Sequence, residues 1–215
     1  MASDGHPLLR WYLDAAEGRF PPVDGGVSIL PALPGGLEAS VAFTGHAVVA
    51  TALAGQEVRA AGPDGFGASS APAFLALLAG PHGAVGTLDA TLVARGAGGP
   101  RRLAARPGMD AHPRVRHARE LRTGVRVYGD DRGLVTLGAG LAGRLEMSVE
   151  LLDPGSRGGR GDGRSLLRDA LTLVRAGEPV FAAVAPGNAR SLRAFLATGF
   201  TPVGSEVIVR PGRGV

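Results

Sequence analysis

The sequence predicts an α+β fold, and three observations predict it. Segments with apolar residues at helical spacing are interleaved with segments in which apolar and polar residues alternate singly. Three alternating segments follow one another between residues 125 and 151, separated by glycine-rich turns, which is the pattern of an antiparallel meander. A continuous apolar run at 179–185 then lies between two helical segments, as expected of a strand buried on both faces. The expected architecture is a mixed, mostly antiparallel twisted sheet flanked by helices, preceded by an N-terminal α/β extension.

The elements follow in order. Leu8, Leu9, Tyr12, Leu13 and Ala16 recur at helical spacing within 6–19, and Phe20-Pro21-Pro22 stops that helix. Segments 26–33 and 37–53 are rich in Val, Ile and Ala with Pro and Gly punctuation, which suits two or three strands. A short apolar helix is expected at 71–78 and a strand at 87–95. The Gly/Pro-rich stretch 96–100 reads as a linker. Two domains are expected, an extension of unassigned role at 1–85 and a second domain at 86–215. In the latter, Val115, Ala118 and Leu121 mark a helix at 113–122, and strands are expected at 125–128, 134–138 and 145–151. Leu167, Ala170, Leu171 and Val174 form one face of a further helix. Asn188 can cap the next, whose apolar face is Leu192, Phe195 and Leu196 and whose end is Gly199. Strands at 201–203 and 206–210 would close the domain as a hairpin.

Composition narrows the function. With 45% apolar and 20% charged residues in 215, a folded protein with a real core is expected. No uninterrupted apolar run of about 18 residues occurs, so no membrane partner is expected. The first residues carry early acidic groups and no long apolar core, unlike a secretory leader, so a cytoplasmic protein is expected. Cysteine is absent, which removes disulfides, thiolate metal ligands and a cysteine nucleophile together. Lysine is absent too, so all 23 basic residues are arginine, and the net charge is only +4. These arginines are dispersed and aromatics make up 5%, so no stacking platform accompanies them and no nucleic-acid partner is expected.

The segment Gly158-Gly159-Arg160-Gly161-Asp162-Gly163-Arg164-Ser165 lies between a strand and a helix. A turn of this kind presents successive N–H groups beside a helix N-terminus, where an anion such as a pyrophosphate is stabilised. The spacing also fits a phosphate loop with Arg164 in place of lysine, but the lysine that reaches terminal phosphates is missing. Arg160-Gly161-Asp162 spells an adhesion tripeptide, which a cytoplasmic protein would carry by chance. In the strand that precedes this loop, Glu146 and Glu150 share one face and Leu145, Met147, Val149 and Leu151 the other. His46, in Phe43-Thr44-Gly45-His46, has no partner that the sequence positions, and a lone histidine is usually structural.

The order strand, glycine turn, amphipathic helix, buried strand, Asn-opened helix and Gly199-Phe200 resembles the coenzyme-A-binding half of the GNAT acetyltransferase superfamily over 144–209. Gly161 and Gly163 match the family's glycines and Leu166-Leu167 its apolar pair, while its first position falls on Gly158, with Arg157 one residue early. The resemblance implies acetyl-CoA as co-substrate and no metal. It implies transfer of the acetyl group to a primary amine of a small molecule or peptide by direct attack in a ternary complex. It places the cofactor on Val149 and Leu151, on Gly158 to Ser165, and on Asn188, and it offers Glu146 as base ahead of Glu150. Phe195 stands where many members have the tyrosine that protonates the leaving thiolate; Ser191 is one turn away. That departure keeps open a CoA-binding protein without turnover. A homodimer is among the assemblies the extension allows.

Overall fold

Residues 5–152 and 161–213 are described by the computed structural model, and the chain divides into two units, Met1–Thr91 with Val203–Val215, and Leu92–Pro202. The elements run α1 (Leu8–Ala16), β1 (Val27–Leu30), β2 (Glu38–Phe43), β3 (His46–Ala50), α2 (Gly55–Ala60), α3 (Pro72–Ala79), β4 (Ala84–Arg95) and β5 (Ala104–Ala105). They continue with α4 (Pro113–Leu121), β6 (Thr123–Gly129), β7 (Gly133–Ala139), β8 (Leu145–Leu151), α5 (Asp162–Ala170), β9 (Pro179–Val184), α6 (Ala189–Leu196) and β10 (Thr201–Arg210). The result is α+β, with mixed and mostly antiparallel pairing flanked by helices.

In the first unit the strand order is β1-β3-β2-β10-β4, with β1 parallel to β3 and β2 antiparallel to both β3 and β10. Val58 of α2 and Phe74, Leu75 and Leu78 of α3 pack with Val49, Val207 and Val209 into one core cluster. Two carboxylates are buried here, each supplied with donors as buried charges require. Glu206 accepts from Tyr12 Oη at 2.8 Å and Thr91 Oγ1 at 2.6 Å, and Glu38 from Thr51, Ala52 N–H and Arg213. The closing hairpin expected at 201–210 is instead one ten-residue strand. Gly204, which reads as a turn, is there for another reason: a Cβ on it would lie 2.3 Å from the Ala42 carbonyl of β2.

In the second unit the order is β4-β9-β8-β7-β6-β5, with β5 through β8 an antiparallel meander and β8 parallel to β9. The glycines at 96–100 are not a free linker. Gly96 N–H donates to Glu178 O, Ala97 N–H to Leu171 O and Gly98 N–H to Val174 O. A Cβ on Gly96 would sit 2.2 Å from Arg175 O, so glycine is present for close approach. Leu167, Ala170, Leu171 and Val174 are all buried, as the periodicity of that segment predicts. On α6 only Phe195 is buried, and Leu196 is 46% exposed.

Candidate active site

The site is built on β8. The N–H of Leu152 donates to Arg132 O, and Gly140 N–H donates to Arg144 O, while the register runs from Gly133↔Leu151 to Ala139↔Leu145. In an antiparallel ladder these bonds fix the parity: even-numbered residues 144–152 exchange hydrogen bonds with β7. The N–H and C=O groups of Leu145, Met147, Val149 and Leu151 therefore point to the opposite edge, toward β9. Yet β8 and β9 share a single register pair, Glu146↔Phe181. Beyond it the backbone of Val149 and Leu151 faces an edge with no strand partner among the described residues.

Two helices present their N-termini to that opening. Gly161, at φ +86°, turns the chain into α5, and no side chain caps the helix. Gly161, Asp162, Gly163 and Arg164 all line a cavity of about 1050 Å³ with Val149, Leu151 and Glu150. The first N–H groups of a helix have no intrahelical acceptor, and without a capping side chain they are open to an anion. Ser165 is not part of the wall; its Oγ donates to Asp162 O at 3.0 Å and its N–H to Gly161 O. Gly158, Gly159 and Arg160 lie outside the described residues. On α6, Asn188 both lines the cavity and caps the helix, its Oδ1 accepting from Ser191 N–H at 3.1 Å. Phe195 closes the wall, its ring edge-on to Phe200 at 4.8 Å between centroids.

Five arginines line this cavity, Arg114, Arg132, Arg164, Arg190 and Arg193, against three carboxylates, Asp131, Glu150 and Asp162. Such a wall suits a polyanionic ligand. Arg132 is anchored on Asp130 and Asp169, at 2.6 and 2.7 Å. The bond from Arg132, outweighing partial burial, holds the Asp130 carboxyl below its ordinary range. The sequence does not point to Arg114 or Arg132, because α4 and the β7 turn reach the site only through tertiary structure. Arg193 was findable, since Ala189, Arg190, Arg193, Ala194 and Ala197 recur at helical spacing on one face.

The two glutamates of β8 have different surroundings. Glu150 lines the cavity, and its Oε2 accepts from Arg114 Nε at 2.8 Å. Glu146 does not line it. Its Oε1 pairs with Arg122 at 2.6 Å and its Oε2 with Arg144 at 3.1 Å, all three side chains less than a tenth exposed. The Arg144 guanidinium also lies 5.3 Å from the Phe181 ring centroid. Burial would raise the Glu146 carboxyl, but the charges of Arg144 and Arg122 outweigh it and hold it below the ordinary range. Gly140 belongs to this cluster, since a Cβ on it would lie 2.3 Å from Glu146 Oε2. Of the two glutamates that the sequence offers as base, Glu150 is thus the one on the cavity wall, while Glu146 is buried and held by two guanidinium groups.

Among the described residues no helix is long and apolar enough to cross a membrane, and no group of three or more histidines and carboxylates can hold a metal ion. No protein-family model and no curated protein matches the chain. Solved structures do resemble it. One is described as a GNAT-family acetyltransferase from Novosphingobium aromaticivorans, at 18% identity and a TM-score of 0.39, covering 62% of this chain and 70% of that one. Another is a GCN5-related N-acetyltransferase from Kribbella flavida, at 14% identity and 0.36, covering 61% of each. A third is a GNAT-family acetyltransferase from Colwellia psychrerythraea, at 10% identity and 0.35, covering 60% of this chain and 57% of that one. Each of these structures matches about 60% of this chain, which spans between 57% and 70% of their own length.

Proposed function

We propose that the second unit is an acetyltransferase that moves an acetyl group from acetyl-CoA to a primary amine. The observation that carries this reading is the opening between β8 and β9, which the uncapped N-terminus of α5 and the N-terminus of α6 share. A pyrophosphate on the α5 amides leaves the pantetheine to run along the free edge of β8, where it can pair as an extra strand. The N–H of Val149 or Leu151 then lies where a thioester oxygen gains negative charge on attack, and a fixed donor there lowers the barrier. Glu150 is the carboxylate placed to take the proton of the attacking amine, directly or through one water. The leaving thiolate has a pKa of about 8.5 and departs without a dedicated acid, so Phe195 does not prevent turnover.

Phe195 favours a second reading, a protein that binds CoA without acetyl transfer. The two separate in one experiment. Titration calorimetry with CoA, followed by acetyl transfer to a panel of amines, should give both binding and CoA release. Binding without release selects the second reading. If millimolar CoA changes neither heat nor melting temperature, both are lost.

A further inference from the structure

Another set of reactive side chains lies in the first unit. The sequence positions no partner for His46, and the fold gives it two. Its Nδ1 lies 2.8 Å from Asp24 Oδ1, and its Nε2 lies 3.0 Å from Ser28 Oγ. The bond from His46, with that from Gly26 N–H, holds the Asp24 carboxyl below its ordinary range. An ionised carboxylate can only accept, so Nδ1 carries the ring proton. In the neutral imidazole Nε2 is then an acceptor, and the Ser28 hydroxyl donates to it. That is the order of bonds by which a carboxylate-oriented histidine activates a serine hydroxyl.

The surroundings suit chemistry. Trp11 stacks on the imidazole at 5.5 Å and 11°, fixing the ring plane, while Gly26 N–H fixes Asp24 Oδ1 at 2.7 Å. Ser28 lies on β1, the end strand of the unit's order. Ala47 N–H donates to Gly26 O and Thr51 N–H to Leu30 O, in a parallel register of Val27↔Ala47 to Leu30↔Ala50. The backbone of Gly26, Ser28 and Leu30 therefore turns to β3, and the N–H groups of Val27 and Ile29 point to the open edge. The Ile29 N–H follows directly on Ser28, where a donor can meet an oxyanion formed by attack of the Ser28 hydroxyl. Val23 and Phe66, 66% and 69% exposed, flank the Asp24 loop as an apolar rim. A Cβ on Gly45 would lie 2.3 Å from Val23, and one on Gly25 2.9 Å from Phe66.

We propose that Ser28, His46 and Asp24 form a nucleophilic site that hydrolyses small carboxylic esters with an apolar acyl group. Ser28 Oγ attacks the ester carbonyl carbon and its proton passes to His46 Nε2. The carbon–oxygen bond to the alcohol breaks, and the alcohol leaves with that proton. Water then attacks the acyl-Ser28 ester, giving its proton through His46 to Ser28 Oγ and releasing the carboxylic acid. Asp24 acts through His46, as a positioning residue.

The test uses the full chain with p-nitrophenyl butyrate as substrate and an alkyl fluorophosphonate as label, which bonds phosphorus to an activated serine oxygen and expels fluoride. Expected are a single adduct mapped to Ser28 by peptide mass spectrometry and ester hydrolysis lowered at least about 100-fold by Ser28→Ala or His46→Gln. Asp24→Asn, which keeps an acceptor for Gly26 N–H, should lower kcat at least about tenfold with KM unchanged, an outcome that a purely structural role does not give. Melting temperatures of all three variants establish that they fold. No adduct after hours in excess probe, an adduct on a different serine, or a hydrolysis rate indifferent to Ser28→Ala each overturns the proposal.

Discussion

Strand β8 is closed at one end and open at the other. At Glu146 it is in register with β9, and the carboxylate is sealed between Arg122 and Arg144 with Phe181 beneath the second guanidinium. At Val149 to Leu151, a few residues on, the partner strand has gone and a cavity takes its place. Alternation puts Glu146 and Glu150 on one face and makes them look equivalent. Their electrostatic positions are opposite: one charge is desolvated and held by two partners, the other is half exposed on a wall with one partner. The difference teaches that position along one strand outweighs a shared face: the ion triad stands at the one register pair that β8 and β9 share, and the cavity begins beyond it.

The largest effect should come from breaking the closed end. Glu146→Ala leaves two buried guanidinium groups without their carboxylate, which costs about 3–5 kcal/mol. Urea denaturation should show this as a lower midpoint at similar slope. The parent's own pH dependence has a definite sign. The folded-state pKa of Glu146 lies below its unfolded value, so its contribution is full above about pH 4.3 and is lost as pH falls through the lowered value. A Glu146→Ala protein as stable as the parent but without turnover would return the base role to Glu146.

At the open end, Glu150→Gln should keep fold and CoA affinity while lowering kcat for amine acetylation about 100-fold, the lower end of what loss of a positioned base costs. The basic limb of the pH–rate profile should change in this variant. A rate unchanged at every pH would leave the amine to lose its proton to water. A smaller effect belongs to the cavity wall. Arg193→Glu should weaken CoA binding about tenfold at low salt, and calorimetry at 0.5 M salt should show the difference shrinking, because an exposed charge acts through a screened field. A salt-independent loss would mean that the substitution disturbs α6 itself.

How far these two ends were legible follows from what each depends on. The meander and the cap at Asn188 depend on local turn chemistry and periodicity, and they stand where the sequence puts them, whereas the helix expected after the turn at 158–165 already begins at Asp162. The helix α2 is a turn and a half beginning with Gly55, too short for a periodicity to emerge. Gly204 and Gly96 read as breaks because glycine favours turns, whereas both serve close backbone approach inside ordered structure. The Glu146 triad was not legible because Arg122 reaches it from the end of α4, 24 residues earlier. The partners of His46 were not legible for the same reason, since Asp24 and Ser28 stand 22 and 18 residues away and meet it only through the β1–β3 pairing.

The smallest expected effect concerns the far wall of the open end, where Phe195 is 3% exposed and edge-on to Phe200. Phe195→Tyr adds one hydroxyl to a ring that already lines the cavity. If that hydroxyl reaches the cavity, it meets water or ligand, and the stability cost stays within about 1 kcal/mol; if it turns inward it is a buried donor without an acceptor and costs about 1–3 kcal/mol. The first outcome is expected, because the ring borders the opening. A phenol there can give its proton to the departing thiolate, so kcat should rise a few-fold, up to the pH of about 10 at which the phenol itself ionises. Stopped-flow release of CoA thiol across pH measures it. A gain that is the same at all pH values would show better packing rather than proton donation. A stability loss without any gain would place the hydroxyl inside the core, and would mark the Phe195 edge of the cavity as closed.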